Sequence, residues 1–108
     1  MAFQVTELSI ELIEVLGPLM SRIKQRDKSL ADQLSRAASS VALNLGEAQL
    51  SDPGNRRARL FSAAGSASET LTGLRVAVAW RHLPEKEAQT ALALARRIVA
   101  ILWKMTRG

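Results

Sequence analysis

The sequence predicts an all-α protein, an antiparallel up-down-up-down four-helix bundle that forms one domain over residues 1–108. Apolar residues recur at intervals of three, four or seven along most of the chain, which is the spacing of a buried helix face. The sequence contains no alternating strand pattern and no β-hairpin turn signal. The connections between the helical patterns are short, and short connections join antiparallel neighbours in a bundle.

The first helix is expected to begin after an N-cap at Thr6 and to bury one apolar stripe. Gly17-Pro18 predicts a kink or a short break in it, because proline has no N–H for the helical ladder. The polar run 24–28 is predicted to be the first connection, with Ser29 capping a second helix that ends near Gln49. The predicted stripe consists of Val5, Leu8, Leu12, Val15, Leu16, Leu19 and Ile23.

Proline marks the start of both later helices. The turn Asp52-Pro53-Gly54 predicts a third helix that is capped by Ser51 or Asp52, with its proline at the first helical position, where a missing N–H costs nothing. This helix is expected to end near Arg81, and Pro84 is expected to open the fourth helix in the same manner. The second and third helices, within residues 34–78, are rich in Ala, Ser and Gly. Small residues let helices approach closely, so this region is the predicted core.

The chain carries more apolar surface than four single stripes require, which favours a homo-oligomer. On the third helix, a face of small residues from Phe61 to Ala79 indicates either a subunit interface or a central helix that packs against two neighbours, and the sequence leaves both open. Trp80 and Trp103 add large rings near helix ends. The oligomer-interface candidates on the fourth helix are Leu94, Ile101 and Met105.

Composition limits the possible functions. Fifteen Lys and Arg against ten Asp and Glu give a formal net charge of +5, which favours polyanionic partners, most commonly nucleic acid. The absence of cysteine removes disulfides and thiolate sites and is compatible with the cytosol. We read no signal peptide, and no window reaches the roughly 18 to 20 apolar residues of a membrane span. We therefore expect a cytoplasmic protein with no membrane partner.

Catalytic and metal-binding signals are weak. His82 is the single histidine and is expected to be an exposed polar residue near a helix end. No Glu-x-x-His pair, phosphate loop or nucleophile elbow is present. Glu47 and Glu69 are lone carboxylates in helical contexts. We expect a protein that is not an enzyme and has no cofactor and no catalytic or metal site.

Basic residues fall into two groups of nucleic-acid-binding candidates, one near the start of the third helix and one at the end of the first helix. The group at the end of the first helix, called the second basic group below, complements the helix dipole. The arginines of the first basic group face the positive end of the third helix, and each reduces stability by up to about 1 kcal/mol. Phosphate binding at that helix end, or ion pairs with Glu7, Glu11 or Asp52, can explain these arginines, and both remain open. Aromatic residues are not interleaved with them, so sequence-specific readout of single strands is not expected. The first basic group is Arg56, Arg57, Arg59, Lys104 and Arg107, and the second basic group is Arg22, Lys24, Arg26 and Lys28.

One stretch of the chain has a recognisable pattern. Gln33–Glu47 reads QLSRAASSVALNLGE, and it is followed by Phe61, Ala64-Gly65-Ser66 and Glu69. This pattern resembles bacterial four-helix-bundle proteins first noticed as products of intervening sequences inside large-subunit ribosomal RNA genes, a group that includes the accessory protein of diversity-generating retroelements. The family's usual Glu-Gly is Glu47-Ala48 here.

The resemblance implies a five-subunit ring with a basic surface that contacts nucleic acid or a reverse-transcriptase partner. It also implies packing and polar contacts between helices, not catalysis, for the signature residues. Arg36 and Glu47 are expected to pair with Glu69 or Arg75 on the neighbouring helix. The signature residues are Arg36, Asn44, Glu47 and Glu69.

These observations predict a non-enzymatic homo-oligomeric scaffold, a homopentamer by resemblance, that binds RNA or DNA through phosphates with little sequence preference. The alternative is a protein–protein adaptor without nucleic-acid affinity, whose basic surface meets an acidic partner. Steep salt dependence with unrelated nucleic acids favours the scaffold, whereas a strict requirement for one protein partner favours the adaptor.

Substitution Asn44→Leu is expected to disturb helix register or assembly more than ligand binding, because a polar network between helices must be fully satisfied. Light scattering and thermal melting test this expectation. An unchanged oligomer size together with an unchanged melting temperature would contradict it.

Overall fold

A computed structural model describes residues 3–107 as four α-helices. They are α1 (Gln4–Arg26), α2 (Lys28–Leu50), α3 (Pro53–Ala79) and α4 (Glu85–Arg107). Each helix packs against its two neighbours in the ring α1–α2–α3–α4. Within the described residues there is no strand. The predicted antiparallel up-down-up-down four-helix bundle is confirmed.

The core combines large residues, most numerous on α1, with many small residues, which predominate in the buried stripe of α3. Leu60, Ala63, Ala67, Thr70, Leu74 and Ala77 are the buried residues of α3. Thr70 is the one polar member, and its hydroxyl donates to the carbonyl oxygen of Ser66 at 2.8 Å. Because the buried stripe carries four short side chains, the neighbouring helices can approach the α3 backbone closely.

The contact between α2 and α3 is the most extensive in the bundle. Gly73 on α3 faces Leu34 on α2, and a Cβ atom placed on Gly73 would lie 2.7 Å from Cδ2 and 3.0 Å from Cγ of Leu34. Leu34 is itself buried. Leu34 can therefore pack between the two helices because Gly73 has no side chain.

The start of α1 differs from the prediction. The helix begins at Gln4 with Phe3 at the N-cap position, so the predicted N-cap at Thr6 is wrong. The Thr6 hydroxyl instead donates to Oε1 of Gln49 at 2.8 Å, and the Phe3 backbone N–H donates to the same atom at 3.1 Å. Gln49 satisfies donors at the start of α1, and it ties that start to the end of α2.

The first connection is also shorter than predicted. The α1 helix continues through Pro18 to Arg26 without a break, and only Asp27 separates it from α2. The Asp27 carboxylate accepts a hydrogen bond from the Leu30 backbone N–H at 3.0 Å, so Asp27 and not Ser29 caps α2. The polar run 24–28 is therefore helical except at Asp27. Its residues are polar because their side chains, apart from the half-buried Asp27, lie on the exposed surface of the two helices.

The caps of the later helices follow the prediction more closely. Asp52 caps α3 by accepting hydrogen bonds from the backbone N–H and the side-chain amide of Asn55, and these bonds lower the pKa of Asp52. Pro53 is the first residue of α3, as predicted. Pro84 precedes α4, and its carbonyl oxygen accepts from the N–H of Ala88, so it occupies the cap and not the first helical position.

The α3 helix ends two residues earlier than predicted, at Ala79. Arg81 has a φ of 63°, in the left-handed region, and the N–H of His82 donates to the Ala77 carbonyl at 2.9 Å. This is the hydrogen-bond pattern of a Schellman cap, with arginine where glycine is usual. Leu83, which follows, is buried in the core.

The excess apolar residues of α3 and α4 differ in how far the single chain buries them. Leu94 is buried in the core of the single chain, and Ile101 and Met105 are half-buried against it. The small-residue face of α3 from Phe61 to Ala79 is exposed along its length. The alternative in which this face packs against neighbouring helices is therefore wrong.

None of the described helices is apolar enough over a sufficient length to cross a membrane.

Two glycines of α3 provide a matched test of the close approach. A Cβ at Gly65 meets no atom within 4 Å, whereas one at Gly73 collides with Leu34. Gly65→Ala should raise the free energy of unfolding by about 0.5–1 kcal/mol through helix propensity. Gly73→Ala should lower it by about 1 kcal/mol, since a repacking cost of about 1–3 kcal/mol exceeds the same propensity gain. Urea denaturation measures both, and equal stabilisation by the two substitutions would contradict the packing role of Gly73.

Candidate nucleic-acid interface

The two basic groups lie at opposite ends of the bundle. The first basic group surrounds the start of α3 and the end of α4, and the second basic group surrounds the end of α1 and the start of α2. A helix of 23 residues, such as α1, spans about 34 Å at 1.5 Å per residue. The two groups are therefore separate surfaces.

Arg56 caps the end of α2. Its Nε donates to the Ala48 carbonyl and its Nη2 to the Ser51 carbonyl, both at 3.2 Å. The carbonyl end of a helix carries partial negative charge, so a cation is stabilised there. Arg56 is half-buried, and its guanidinium serves the turn between α2 and α3.

Arg57 and Arg59 reach across to the two neighbours of α3. Nη2 of Arg57 donates to the Thr106 carbonyl at 3.3 Å, near the end of α4. Arg59 forms an ion pair with Glu47 on α2 at 2.9 Å. In an antiparallel bundle the start of α3 lies beside the carbonyl ends of both neighbours, so cations that oppose the dipole of their own helix complement the dipoles of the adjacent helices.

The acidic partners expected for these arginines are not the ones used. Within residues 3–107, Glu7, Glu11 and Asp52 form no ion pair with the three arginines, which bind carbonyl oxygens and Glu47 instead. Phosphate binding is not needed to explain why arginines occur at the start of α3.

The exposed surface of α4 is a stronger candidate, and sequence reasoning found only half of it. Between Ala88 and Arg107 the helix contains no acidic residue. Its four cations in this segment are all exposed, form no ion pair within the described part of the chain, and fall in a sector of about 100° on the helix. Their spacing could have revealed the sector from the sequence. We define the α4 basic face as Arg96, Arg97, Lys104 and Arg107.

Aromatic rings lie beside this face, contrary to the expectation from sequence. Cζ of Arg57 lies 5.0 Å from the ring centroid of Phe61, and Cζ of Arg107 lies 3.4 Å from that of Trp103. The rings are 50% and 55% exposed, respectively. Each pair has the i, i+4 spacing that brings side chains together on a helix. This spacing is a signal in the sequence that could have been read.

The second basic group lies beside two acidic residues, Asp27 and Glu87. Arg22 of α1 forms an ion pair with Glu87 of α4, and both side chains are about half exposed. His82 is not exposed as expected, because its side chain is only 13% accessible and its Nε2 lies 3.7 Å from Oδ2 of Asp27. Nδ1 of His82 is buried without a hydrogen-bond partner. Lys24, Arg26 and Lys28 are exposed.

Two signature residues, Asn44 and Glu47, form part of a polar network between α2 and α3. Nδ2 of Asn44 donates to the carbonyl and hydroxyl oxygens of Ser40, and the Ser66 hydroxyl of α3 donates to the Ser40 hydroxyl at 2.8 Å. Arg59 extends the network by donating to Oδ1 of Asn44 while it pairs with Glu47. Asn44 and Glu47 therefore make the polar contacts between helices that the resemblance implied for signature residues.

The predicted pairing of Arg36 or Glu47 with Glu69 or Arg75 is wrong. Glu47 pairs with Arg59, and the other three residues form no ion pair within residues 3–107. Glu69 instead lines a groove of about 470 Å³ between α2 and α3. Among the described residues no cluster of three or more His, Asp or Glu side chains could hold a metal ion.

Comparison with known proteins identifies the family of this chain. The family model described as 23S rRNA-intervening sequence protein matches residues 1–104. The chain belongs to this family. The resemblance stated from the sequence pattern is thereby confirmed.

A solved structure supports the fold of this intervening-sequence protein. It is the crystal structure of a protein with unknown function from the S23 ribosomal protein family of Bacteroides thetaiotaomicron. The two superpose with a TM-score of 0.87 at 18% identity, over 96% of this chain and 99% of the other. At this identity the likeness concerns the fold alone. The comparison with curated proteins gave no match.

Arg56 of this intervening-sequence protein should contribute to stability. Arg56→Met removes two charge-assisted hydrogen bonds to the end of α2, and we expect the free energy of unfolding to fall by about 1–2 kcal/mol. Arg56→Lys should recover only part of the loss, because an ammonium group does not reproduce the guanidinium fork. The matched control, Arg96→Met on the exposed face of α4, should change stability by less than about 0.5 kcal/mol. Equal effects of the Arg56 and Arg96 substitutions in thermal or urea unfolding would contradict the capping role.

Proposed function

We propose that this intervening-sequence protein is a non-enzymatic, homo-oligomeric scaffold that binds nucleic acid through phosphate contacts with little sequence preference. The α4 basic face is the observation that carries the proposal. Four exposed cations without ion-pair partners in the described chain lie in one sector of a single helix. Cations that are already paired in the protein gain less from a phosphate, so this face is a better site than the start of α3.

The electrostatic contribution can be estimated. Each phosphate that a lysine or arginine neutralises releases a counterion, which gives a slope of about −0.7 to −0.9 in log affinity against log salt concentration. Full engagement of the α4 basic face therefore corresponds to a slope of about −3 per subunit. In a ring of five subunits, the assembly expected by resemblance, several copies of the face act on one strand and raise the avidity.

Assembly is supported by the exposed face of α3. Beyond Phe61, the members of this face are the small or apolar residues Gly65, Ser68, Thr72, Val76 and Ala79, and all of them are exposed. It borders the groove between α2 and α3, where Leu34, Gly73 and Val76 contribute apolar lining. Small residues permit close packing of helices from another subunit. Light scattering coupled to size exclusion, with and without RNA, gives the subunit number, and a monomer at all salt concentrations would remove the assembly from the proposal.

Matched charge variants test the nucleic-acid surface. Replacing Arg96, Arg97 and Lys104 by Gln removes three charges from α4, and replacing Lys24, Arg26 and Lys28 by Gln removes three from the opposite end. We expect the α4 variant to reduce the salt slope by about 2 and the affinity for a mixed-sequence RNA by at least tenfold. The control variant should change both quantities much less.

The outcomes separate the candidate functions. If the two variants weaken binding equally, total charge and not the α4 basic face determines affinity. If the wild-type protein binds neither RNA nor DNA at low salt, the nucleic-acid scaffold is wrong and the adaptor with an acidic protein partner replaces it. Anisotropy titrations of labelled RNA and DNA at several salt concentrations provide these measurements.

A further inference from the structure

Two ring–guanidinium pairs lie at one end of the surface formed by α3 and α4. Arg57 lies over Phe61 on α3, and Arg107 lies over Trp103 on α4. The hydrogen bond from Arg57 to the Thr106 carbonyl fixes the first pair against the end of α4, next to the second pair. The pairs therefore form one composite surface, which we call the stacking surface (Arg57, Phe61, Trp103 and Arg107).

The stacking surface combines two chemistries that phosphate binding alone does not need. Its rings are half exposed, although large apolar rings at a surface are costly to leave in water. Each ring is held against a guanidinium, so its orientation is restrained before any ligand arrives. Unpaired bases stack on aromatic rings and on arginine planes, whereas the bases of a duplex are already stacked on one another.

We propose that the stacking surface makes this protein selective for single-stranded over double-stranded nucleic acid. This inference rests on the proposed function, since the α4 basic face supplies the contact with phosphates. A strand that runs along α4 places its phosphates against Arg96, Arg97 and Lys104, and its unpaired bases reach Trp103 and Phe61 at the end of the helix. Stacking accepts any base, so the selectivity is for strandedness and not for sequence.

The test compares two rings with a matched control ring. Phe61→Leu and Trp103→Leu keep an apolar side chain at each exposed position and remove the ring. Trp80→Leu is the control, because Trp80 is 70% exposed, lies at the other end of α3 and makes no cation–π contact within the described chain. Each variant is titrated with a labelled RNA of about 20 nucleotides that has no self-complementarity, and with its duplex.

We expect wild-type protein to bind the single strand more tightly than the duplex at equal salt. Phe61→Leu and Trp103→Leu should each weaken single-strand binding about 10- to 100-fold. Their duplex affinity and salt slope should stay within twofold of wild type, as should all values for Trp80→Leu. In a Trp80→Phe background, Trp103 is the single tryptophan, and its fluorescence should be quenched by the single strand and not by the duplex.

The possible failures are distinguishable. If wild-type protein binds both forms equally and the ring variants leave single-strand affinity unchanged, the stacking proposal is wrong while the phosphate-binding scaffold stands. If neither form binds at low salt, the proposed function itself is wrong. If Phe61→Leu or Trp103→Leu changes the oligomer mass in light scattering, and loses duplex and single-strand binding together, these rings form a subunit contact and the stacking proposal is overturned.

Discussion

The close approach of α2 and α3 is the constraint on which the rest of the bundle depends. Leu34 occupies the space that a side chain at Gly73 would fill, and the short side chains of α3 let this contact continue along the helix. The same approach brings the Ser66 hydroxyl within 2.8 Å of the Ser40 hydroxyl. A longer separation would leave the half-buried Ser66 hydroxyl without this partner, which is costly in a low-dielectric environment. Apolar packing and the polar network therefore fix the same helix spacing.

Antiparallel packing also determines what the arginines at the start of α3 do. Considered on α3 alone, they oppose the helix dipole, but in the bundle they lie beside the carbonyl ends of α2 and α4. Arg56 and Arg57 bind those carbonyls, and Arg59 binds Glu47. Charge that looked available for a ligand is used to hold the turn and the helix ends together. Along the middle and end of α4, by contrast, four exposed cations form no ion pair with any described residue.

The sequence predicted some features of this protein well because they depend on local chemistry. The Asp52 cap and the start of α3 at Pro53 follow from the turn chemistry of Asp-Pro-Gly. The first connection was predicted poorly, since a polar run that looks like a loop is also the exposed surface of two helices that meet at Asp27. Leu94 was expected at a subunit interface and lies in the core, because apolar periodicity gives the faces of a helix without saying which neighbour covers each one.

The sequence by itself determined the fold class, the family and the excess of positive charge. Periodicity, caps and a signature pattern are properties of short segments, so they can be recognised without knowing which helices pack against each other. Only the tertiary structure decided which cations remain free and which rings stay exposed. Charge pairing and burial depend on atoms that are distant in sequence, as Arg57 with Thr106 and Arg22 with Glu87 illustrate. The candidate site is therefore a product of helix packing, although every residue in it could be read in the sequence.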